Sequence, residues 1–167
     1  MIDNPRVLIV AEGIARRFGG QAKSIPALFL NLRDEGCNVT ILSGIRDRFD
    51  VETSELDITL VRHFKYFTKF KLSLGLILLL INSRKNFDIL HCNGIWNFIS
   101  LVTAIFCRIF NKKFVISTRG MASILSVSRS RSRLNYFRFI QRRILNSADF
   151  IHVTSELEKQ DLVNLSV

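Results

Sequence analysis

Cysteine and proline are scarce in this sequence of 167 residues. Its three cysteines, Cys37, Cys92 and Cys107, are odd in number and far apart in apolar stretches, which argues against a disulfide framework. A reducing compartment is the simpler interpretation. Only two prolines and eight glycines occur, and no low-complexity tract or fixed-period repeat is visible. With 48% hydrophobic residues, the chain is apolar enough to form one compact domain with a buried core.

Acidic residues are missing from a long part of the chain. None occurs between Asp88 and Asp149, a stretch that holds ten basic residues. Of the 24 basic residues, 14 therefore remain to balance the 14 acidic ones elsewhere, and the formal net charge is +10. A one-sided positive charge predicts an anionic partner, which can be nucleic acid, acidic lipid or a phosphorylated substrate.

A hydrophobic run long enough to cross a membrane is also lacking. The most apolar run, Leu72 to Ile81, is about half of the roughly 20 residues that a spanning helix needs. The N-terminus, MIDNPRVLIVAEG, does not have the basic-then-apolar layout of a signal peptide. We expect a cytoplasmic protein that can lie on the inner face of the cell membrane without crossing it.

Short apolar runs alternate with helix-length segments along the chain. Six strands are predicted at 6–10, 38–42, 58–62, 87–91, 113–117 and 149–153, and helices at 21–35, 66–84, 95–110 and 131–147, with a last helix opening after residue 154. This alternation predicts a Rossmann-like, doubly wound parallel α/β sheet. Ligands bind such sheets at the carboxyl ends of the strands, so the loops to inspect are 11–20, 43–48, 91–96, 117–128 and 154–156.

The first of these loops contains Gly13, Gly19 and Gly20 but no G-x-G-x-x-G motif, which disfavours a nicotinamide dinucleotide. Two glycines directly before a helix allow a ligand to approach the backbone, and a helix N-terminus favours anions. A plain turn between strand and helix explains Gly19 and Gly20 equally well.

The stretch HCNGIWNF, residues 91–98, raises the question of a metal site or a Cys/His nucleophile pair. His91 and Cys92 are adjacent, so in a strand their side chains point to opposite faces, which argues against both. No further Cys or His stands at zinc-ligand spacing, and we expect no metal. Gly94 permits the turn that ends the strand, and Trp96 is predicted to start the next helix as a core aromatic.

A second candidate lies at the end of the fifth strand, where the sequence is STRGM. Arg119 stands where side chains meet a ligand, and a guanidinium there can clamp phosphate or carboxylate. Gly120 again permits close approach. The alternative for Arg119 is a solvated loop arginine.

Two basic segments are candidates for contact with a membrane or another anion. One is a helix over 131–147, whose apolar residues Leu134, Phe137 and Ile140 are predicted to face the core; its alternatives are RNA binding and a solvated face. The other begins at residue 63 and has a buried crossover helix as its alternative. The basic residues of the two segments are Lys65, Lys69, Lys71, Arg131, Arg133, Arg138 and Arg142.

Taken in order, these segments resemble the N-terminal domain of glycosyltransferase family 4, which is half of a GT-B fold. The matching stretches are FGGQAKSIPALFLNLRDEGCNVTIL, then DILHCNGIW in place of a strand running into H-x-H-G-x-W, then STRGMAS in place of S-P-R-G-M-L, then SADFIHVTSELE. The sequence departs from the family pattern at Asn93, Thr118 and Ala122. The resemblance runs from about residue 6 to 162.

The resemblance implies transfer of a sugar from a nucleotide-sugar to a polysaccharide or lipid-linked acceptor, with no cofactor. It assigns the reaction centre to Arg119 and Gly120. It assigns substrate binding to Gly19, Gly20, His91, Asn93, Gly94, Trp96 and Glu158.

In the family a second Rossmann-like domain with an E-x7-E motif holds the nucleotide-sugar. No such domain occurs in residues 1–167, so we expect one N-terminal domain that is inactive alone: a truncated gene product, a cloned domain, or one half of a split enzyme that acts with a separate C-terminal half. The alternative is a non-enzymatic basic α/β module that binds nucleic acid or anionic membrane, of which nucleic acid is the less favoured partner.

Overall fold

A computed structural model describes residues 4–45, 61–65 and 72–167 of the chain. The strands are β1 Arg6–Ala11, β2 Asn38–Ile45, β3 Val61–Lys65, β4 Ile89–Asn93, β5 Lys113–Ser117 and β6 Phe150–His152. They form one parallel sheet in the order β3-β2-β1-β4-β5-β6. Strands β2 and β3 are added outward on one side of β1, and the last three strands are added on its other side. This strand order confirms the predicted Rossmann-like fold.

The helices of the described residues lie on both faces of this sheet. They are α1 Gly20–Asp34, α2 Leu74–Ser83, α3 Phe98–Ile109, α4 Ile124–Ser128, α5 Arg131–Tyr136, α6 Arg142–Asn146 and α7 Glu156–Asn164. A π-helical turn, Phe137–Gln141, joins α5 to α6. The predicted strand 58–62 and helix 66–84 fall partly on residues 46–60 and 66–71, which lie outside the described residues.

Two cores hold the sheet between its helices. On one face, Ile9 and Ile41 pack against Ile25 and Phe29 of α1. The larger core, on the other face, joins strand residues such as Leu90 to α2, α3 and the π-helical turn. Since β1 alternates its side chains between these two cores, it has no polar face.

Ion pairs join neighbouring strands at the amino-terminal edge of the sheet. Arg6 donates from Nε and Nη2 to the carboxylate of Asp88 at 2.9 and 2.7 Å, and this hydrogen bonding lowers the pKa of Asp88. Asp149 accepts from Lys113 and from the Phe114 backbone. These charges lie at the edge opposite to the one where ligands bind, so they stabilise strand pairing rather than form a site.

The helix after β4 begins later than its apolar sequence predicts. Gly94 has φ 95° and Trp96 has φ 70°, both outside the helical region. Helix α3 then starts at Phe98, with Asn97 as its N-cap accepting from the Ser100 amide at 3.0 Å. The prediction that Trp96 starts the helix is therefore wrong, because the chain makes a left-handed turn there first.

The π-helical turn changes which residues of the basic helix face the core. Phe137 is buried as predicted, but Ile140 is 38% exposed and Gln141 is fully buried. A π turn inserts an additional residue into the helical repeat, so the apolar periodicity read from the sequence loses register within it. The predicted core position of Ile140 is wrong for this reason.

Candidate functional site

The candidate site lies at the carboxyl edge of the sheet, where β4 and β5 end side by side. Asn93 pairs in register with Ser117, and the Gly94 amide donates to the Ser117 carbonyl at 2.9 Å. The loops after both strands are therefore held together by the sheet. The first turn of α1 lies beside them, because Arg119 of the loop after β5 donates a hydrogen bond to Ser24 of α1.

His91 and Cys92 do point to opposite faces of the sheet. Cys92 is fully buried in the larger core, and burial raises its thiol pKa to about 12. His91 lies on the α1 face, where its Nε2 and the Ser117 hydroxyl are joined by a 2.7 Å hydrogen bond. A neutral, inaccessible thiol on the far side of the sheet cannot act as a nucleophile with this histidine.

A chain of three hydrogen-bonded side chains runs from His91 to the surface. The Ser117 hydroxyl also bonds His152 Nδ1 at 2.9 Å, and His152 is exposed. Burial, together with the nearby His152 and Arg119, lowers the pKa of His91 to about 4. His91 is thus a neutral hydrogen-bonding group at neutral pH, which orients Ser117 at the end of β5.

Arg119 is half-buried and hydrogen-bonded, so it is not a solvated loop residue, and its role as a clamp for phosphate or carboxylate stays a prediction. Its Nε and Nη2 donate to Asn93 Oδ1 at 3.0 and 2.5 Å, and Nη1 donates to the Ser24 hydroxyl at 2.6 Å. The Ser24 hydroxyl in turn donates to the Gly20 carbonyl at 2.8 Å. These contacts hold the guanidinium between the end of β4 and the first turn of α1.

The charge of Arg119 is not neutralised by these three bonds, because all of them go to neutral oxygens. The side chain is half-buried, and burial lowers its pKa. Guanidinium carries five N–H donors, so two remain beyond the three in use. A positive group with spare donors beside a helix N-terminus is suited to hold a phosphate or carboxylate.

Four residues with positive φ shape the loops around Arg119. Gly19 has φ 62°, Gly94 φ 95°, Arg119 φ 50° and Gly120 φ 75°. A Cβ added at Gly19 or Gly20 meets no atom within 4 Å. These two exposed positions therefore leave open space at the start of α1, as close approach of a ligand to the backbone requires.

Glu158 locks the loop that carries Arg119. Its Oε1 accepts from the Thr118 hydroxyl at 2.6 Å and the Gly120 amide at 2.5 Å, and its Oε2 accepts from the Thr154 amide and hydroxyl. Burial alone would raise the pKa of Glu158, but these hydrogen bonds outweigh it and lower the pKa. The carboxylate thus ties the end of β5 to α7, and its assigned role in substrate binding stays a prediction.

Trp96 is held from several sides in the loop after β4. Its indole Nε1 donates to the Met121 carbonyl at 2.8 Å, and its amide donates to Gln141 Oε1 at 3.0 Å. The Arg133 guanidinium lies 4.5 Å from the ring centroid. The burial of Gln141 could not be predicted, because a glutamine inside a basic amphipathic helix has no sequence signal of burial.

The basic residues predicted to contact a membrane or another anion lie on different elements, as far as the structure describes them. Arg133 is engaged with Trp96 near the candidate site, whereas Arg131, Arg138 and Arg142 are exposed along the helical segment that contains the π-helical turn. Lys65 is exposed at the end of β3, and Lys69 and Lys71 lie outside the described residues. Among the helices that the structure describes, none is long and apolar enough to cross a membrane.

No group of three metal-ligating side chains comes together within residues 4–45, 61–65 and 72–167. The residues that do meet at the site, foremost Arg119 with Asn93 and Ser24, offer hydrogen bonding and positive charge. Asn93, Arg119, Gly19, Gly20 and Gly94 meet at one edge of the sheet, as the loop positions predicted.

Comparison with known proteins identifies a family for this chain. The profile of Glycosyltransferase Family 4 matches residues 18–167, which is nearly the whole chain. The chain belongs to glycosyltransferase family 4. A search of curated proteins finds no match.

Solved structures share the fold of this family 4 chain at low identity. HepE from Anabaena, solved with UDP and glucose, superposes with a TM-score of 0.63 at 14% identity, over 96% of this chain and 41% of HepE. MurG from Acinetobacter baumannii superposes with a TM-score of 0.56 at 12% identity, over 90% of this chain and 41% of MurG. The family 4 chain thus spans about two fifths of these relatives, which corresponds to one half of a GT-B fold.

One solved structure has a comparable length. A Vibrio parahaemolyticus protein of unknown function, VPA0982, superposes with a TM-score of 0.53 at 10% identity, over 93% of this chain and 96% of that one. A similar fold therefore also occurs in a solved chain of about this length.

Proposed function

We propose that this family 4 chain is the acceptor-binding domain of an enzyme that transfers a sugar from a nucleotide-sugar to a polysaccharide or lipid-linked acceptor. Three findings support the proposal: the family match, the UDP and glucose bound to the structurally similar HepE, and the site at the carboxyl edge of the sheet. A lipid-linked acceptor would place the domain at the inner face of the cell membrane.

The observation that carries the proposal is the position of Arg119. Its guanidinium is fixed by Asn93 and Ser24 beside the N-terminus of α1, and none of its three hydrogen bonds goes to a carboxylate. Donors that are already oriented stabilise negative charge better than mobile ones, because little reorganisation is needed when the charge develops. Phosphate of the donor or of a lipid-phosphate acceptor is the group that such a site fits.

Asn93 is a residue of this site that departs from the family pattern. The family pattern has a histidine at this position, whereas here an amide oxygen accepts two bonds from Arg119. An amide oxygen accepts hydrogen bonds at any physiological pH, so it holds the guanidinium independently of protonation. We propose that Asn93 positions Arg119 and that His91 acts through Ser117 at the end of the neighbouring strand.

We further propose that the chain does not transfer sugar by itself and acts with a donor-binding half. The proposal is supported by its length, which is about two fifths of the solved relatives. The half that binds the nucleotide-sugar would close the cleft over Gly19, Gly20 and Gly120, which are exposed at the carboxyl edge.

The test is acceptor binding by the 167-residue chain, followed by nuclear magnetic resonance of backbone amides. A lipid-phosphate acceptor analogue should shift the amides of Gly19, Gly20, Gly94 and Gly120. Changing Arg119→Gln should weaken binding about tenfold or more, because a charge-assisted bidentate contact is lost.

Arg33→Gln is the matched control, since Arg33 is an exposed arginine at the far end of α1. Equal binding by the Arg119→Gln and Arg33→Gln variants would contradict the assigned site. Turnover of a nucleotide-sugar by the chain alone would contradict the need for a second half.

A further inference from the structure

An exposed apolar surface covers the side of the molecule opposite to α1. Helix α3 contacts α2 on one side and α6 on the other, and large hydrophobic side chains of these segments remain outside the core. We call this surface the apolar helix face; its six main residues are Leu74, Leu78, Ile105, Ile109, Phe139 and Ile140.

The exposure of these side chains is large. Leu74 is 79% exposed, Ile109 67% and Phe139 64%. Scattered exposed hydrophobic residues need no explanation, but several on neighbouring helices mark a surface that contacts another apolar phase. The π-helical turn contributes directly, because it moves Ile140 out of the core and next to Phe139.

A groove of about 290 Å³ runs through this face between α3 and the helical segment of the π turn. Ile105, Phe139 and Ile140 line it, together with Arg108 and Arg143. Both arginines are exposed. The apolar floor is therefore bordered by two exposed arginines, a residue type whose aliphatic stem can cover apolar surface while its charged head stays in water.

The helical segments that form this face carry no acidic residue of their own. No acidic residue occurs from Ile89 to Ala148, and none occurs from Leu72 to Phe87. Asp88, which separates the two stretches, is paired with Arg6 at the amino-terminal edge. The next acidic residue after this part of the chain, Asp149, is paired with Lys113. Apolar side chains that lie beside arginines match the surface of an anionic bilayer, where acyl chains lie beneath negative headgroups.

We propose that the apolar helix face docks on an anionic phospholipid bilayer, with Ile105, Ile109 and Phe139 entering the headgroup region and Arg108 and Arg143 binding lipid phosphates. This surface includes α3, for which the sequence predicts a helix but no binding role. The proposal goes beyond sugar transfer, because docking can be measured without any acceptor or donor.

Two other occupants fit less well. A second copy would bring the same arginines together at the rim of the interface, and like charges there oppose association. Nucleic acid would neutralise the arginines, but its hydrated backbone would leave Leu74, Leu78 and Ile109 in contact with water.

The test is co-sedimentation of the full 167-residue chain with vesicles. Binding is expected to vesicles that contain phosphatidylglycerol, and to be much weaker with pure phosphatidylcholine. Ile105→Ser and Phe139→Ser should each weaken binding roughly tenfold, because apolar area no longer enters the bilayer. Arg108→Gln with Arg143→Gln should weaken it roughly 25-fold, at about fivefold for each cation near an anionic surface.

Matched controls lie on the α1 face. Leu30 is 50% exposed, close to the 49% of Ile105, so Leu30→Ser removes similar apolar area from the wrong side. Lys23→Gln with Arg33→Gln removes the same charge there. Since all these positions are exposed, circular dichroism should show every variant folded.

Equal losses in the test and control variants would overturn the proposal, because binding would then depend on net charge alone. A dimer of the wild-type chain that Phe139→Ser converts to monomer, without vesicle binding, would assign the face to a second copy. Binding to an oligonucleotide that competes with the vesicles and survives Phe139→Ser would assign the arginines to nucleic acid. Loss of acceptor binding in the Arg119→Gln variant with unchanged vesicle binding would separate this surface from the proposed catalytic site.

Discussion

Protonation of His91 should destabilise the folded chain in mild acid. The side chain is 6% exposed, and burial with the nearby His152 and Arg119 lowers its pKa from 6.5 to about 4. The unfolded chain exposes the same imidazole at its ordinary pKa. As pH falls from 6.5 towards 4, the unfolded state takes up a proton that the folded state does not, so the free energy of unfolding decreases.

The magnitude follows from the difference between the two pKa values. Each pKa unit corresponds to about 1.4 kcal/mol, so a shift from 6.5 to about 4 gives a total near 3 kcal/mol at the acid limit. Between pH 7.5 and pH 5 the integrated loss is about 2 kcal/mol. Asp88 and Asp149 have lowered pKa values from a reference of 3.8, so their stabilisation is lost mainly below this window.

Urea unfolding followed by circular dichroism between pH 5 and pH 7.5 measures this loss. His91→Gln keeps a side chain that can hydrogen bond with Ser117 but does not titrate, so its unfolding free energy should vary about 2 kcal/mol less than that of the wild type. His152→Gln is the matched control, because it removes the exposed member of the same hydrogen-bonded chain. Parallel pH profiles for the wild type and His91→Gln would refute the reasoning.

Three further substitutions separate strong from weak contributions. Glu158→Gln should lower the free energy of unfolding by about 2 kcal/mol, because hydrogen bonds to a buried charge are lost and an amide N–H₂ meets other donors. Thermal denaturation measures this loss, and a change under about 0.5 kcal/mol would contradict the prediction. Gly94→Ala should cost about 1–2 kcal/mol, since φ is 95° and the new Cβ would lie 3.2 Å from the Met121 side chain; a neutral result in urea unfolding would show that the loop relaxes. Asp88→Asn should cost only about 0.5 kcal/mol at pH 7, because its ion pair with Arg6 is partly exposed; a loss above about 2 kcal/mol in the same assay would mean that this pair is effectively buried.

Most of the fold could be predicted from the alternation of apolar runs with helix-length segments. A strand such as RVLIV is apolar at every position after its arginine, and such a run is favourable only where both faces of a sheet are covered. That condition implies crossover helices, a parallel sheet and a ligand edge at the carboxyl ends of the strands. The positions of Asn93, Arg119, Gly19 and Gly20 at one edge follow from this local pattern, and so does the opposed direction of His91 and Cys92.

Long-range contacts determined what these residues do there. Arg119 could have been a free clamp or a solvated residue, and its hydrogen bonds to Asn93 and Ser24, 26 and 95 positions away in the chain, leave it fixed but not neutralised. Glu158 stands three residues after Ser155, the N-cap of α7, which is the spacing of a capping box, yet its carboxylate reaches the loop after β5. Partners this distant in sequence leave no periodic signal, because they meet only when the sheet forms.

The π-helical turn shows the limit of periodicity. Leu134, Phe137, Ile140 and Ile144 have helical spacing, which places all four on one face of a regular helix. One additional residue in the turn buries Gln141 against the Trp96 amide and exposes Ile140 beside Phe139. Local spacing specifies that a helix forms, whereas packing against the loop after β4 selects which of its residues meet the core and which form the apolar helix face.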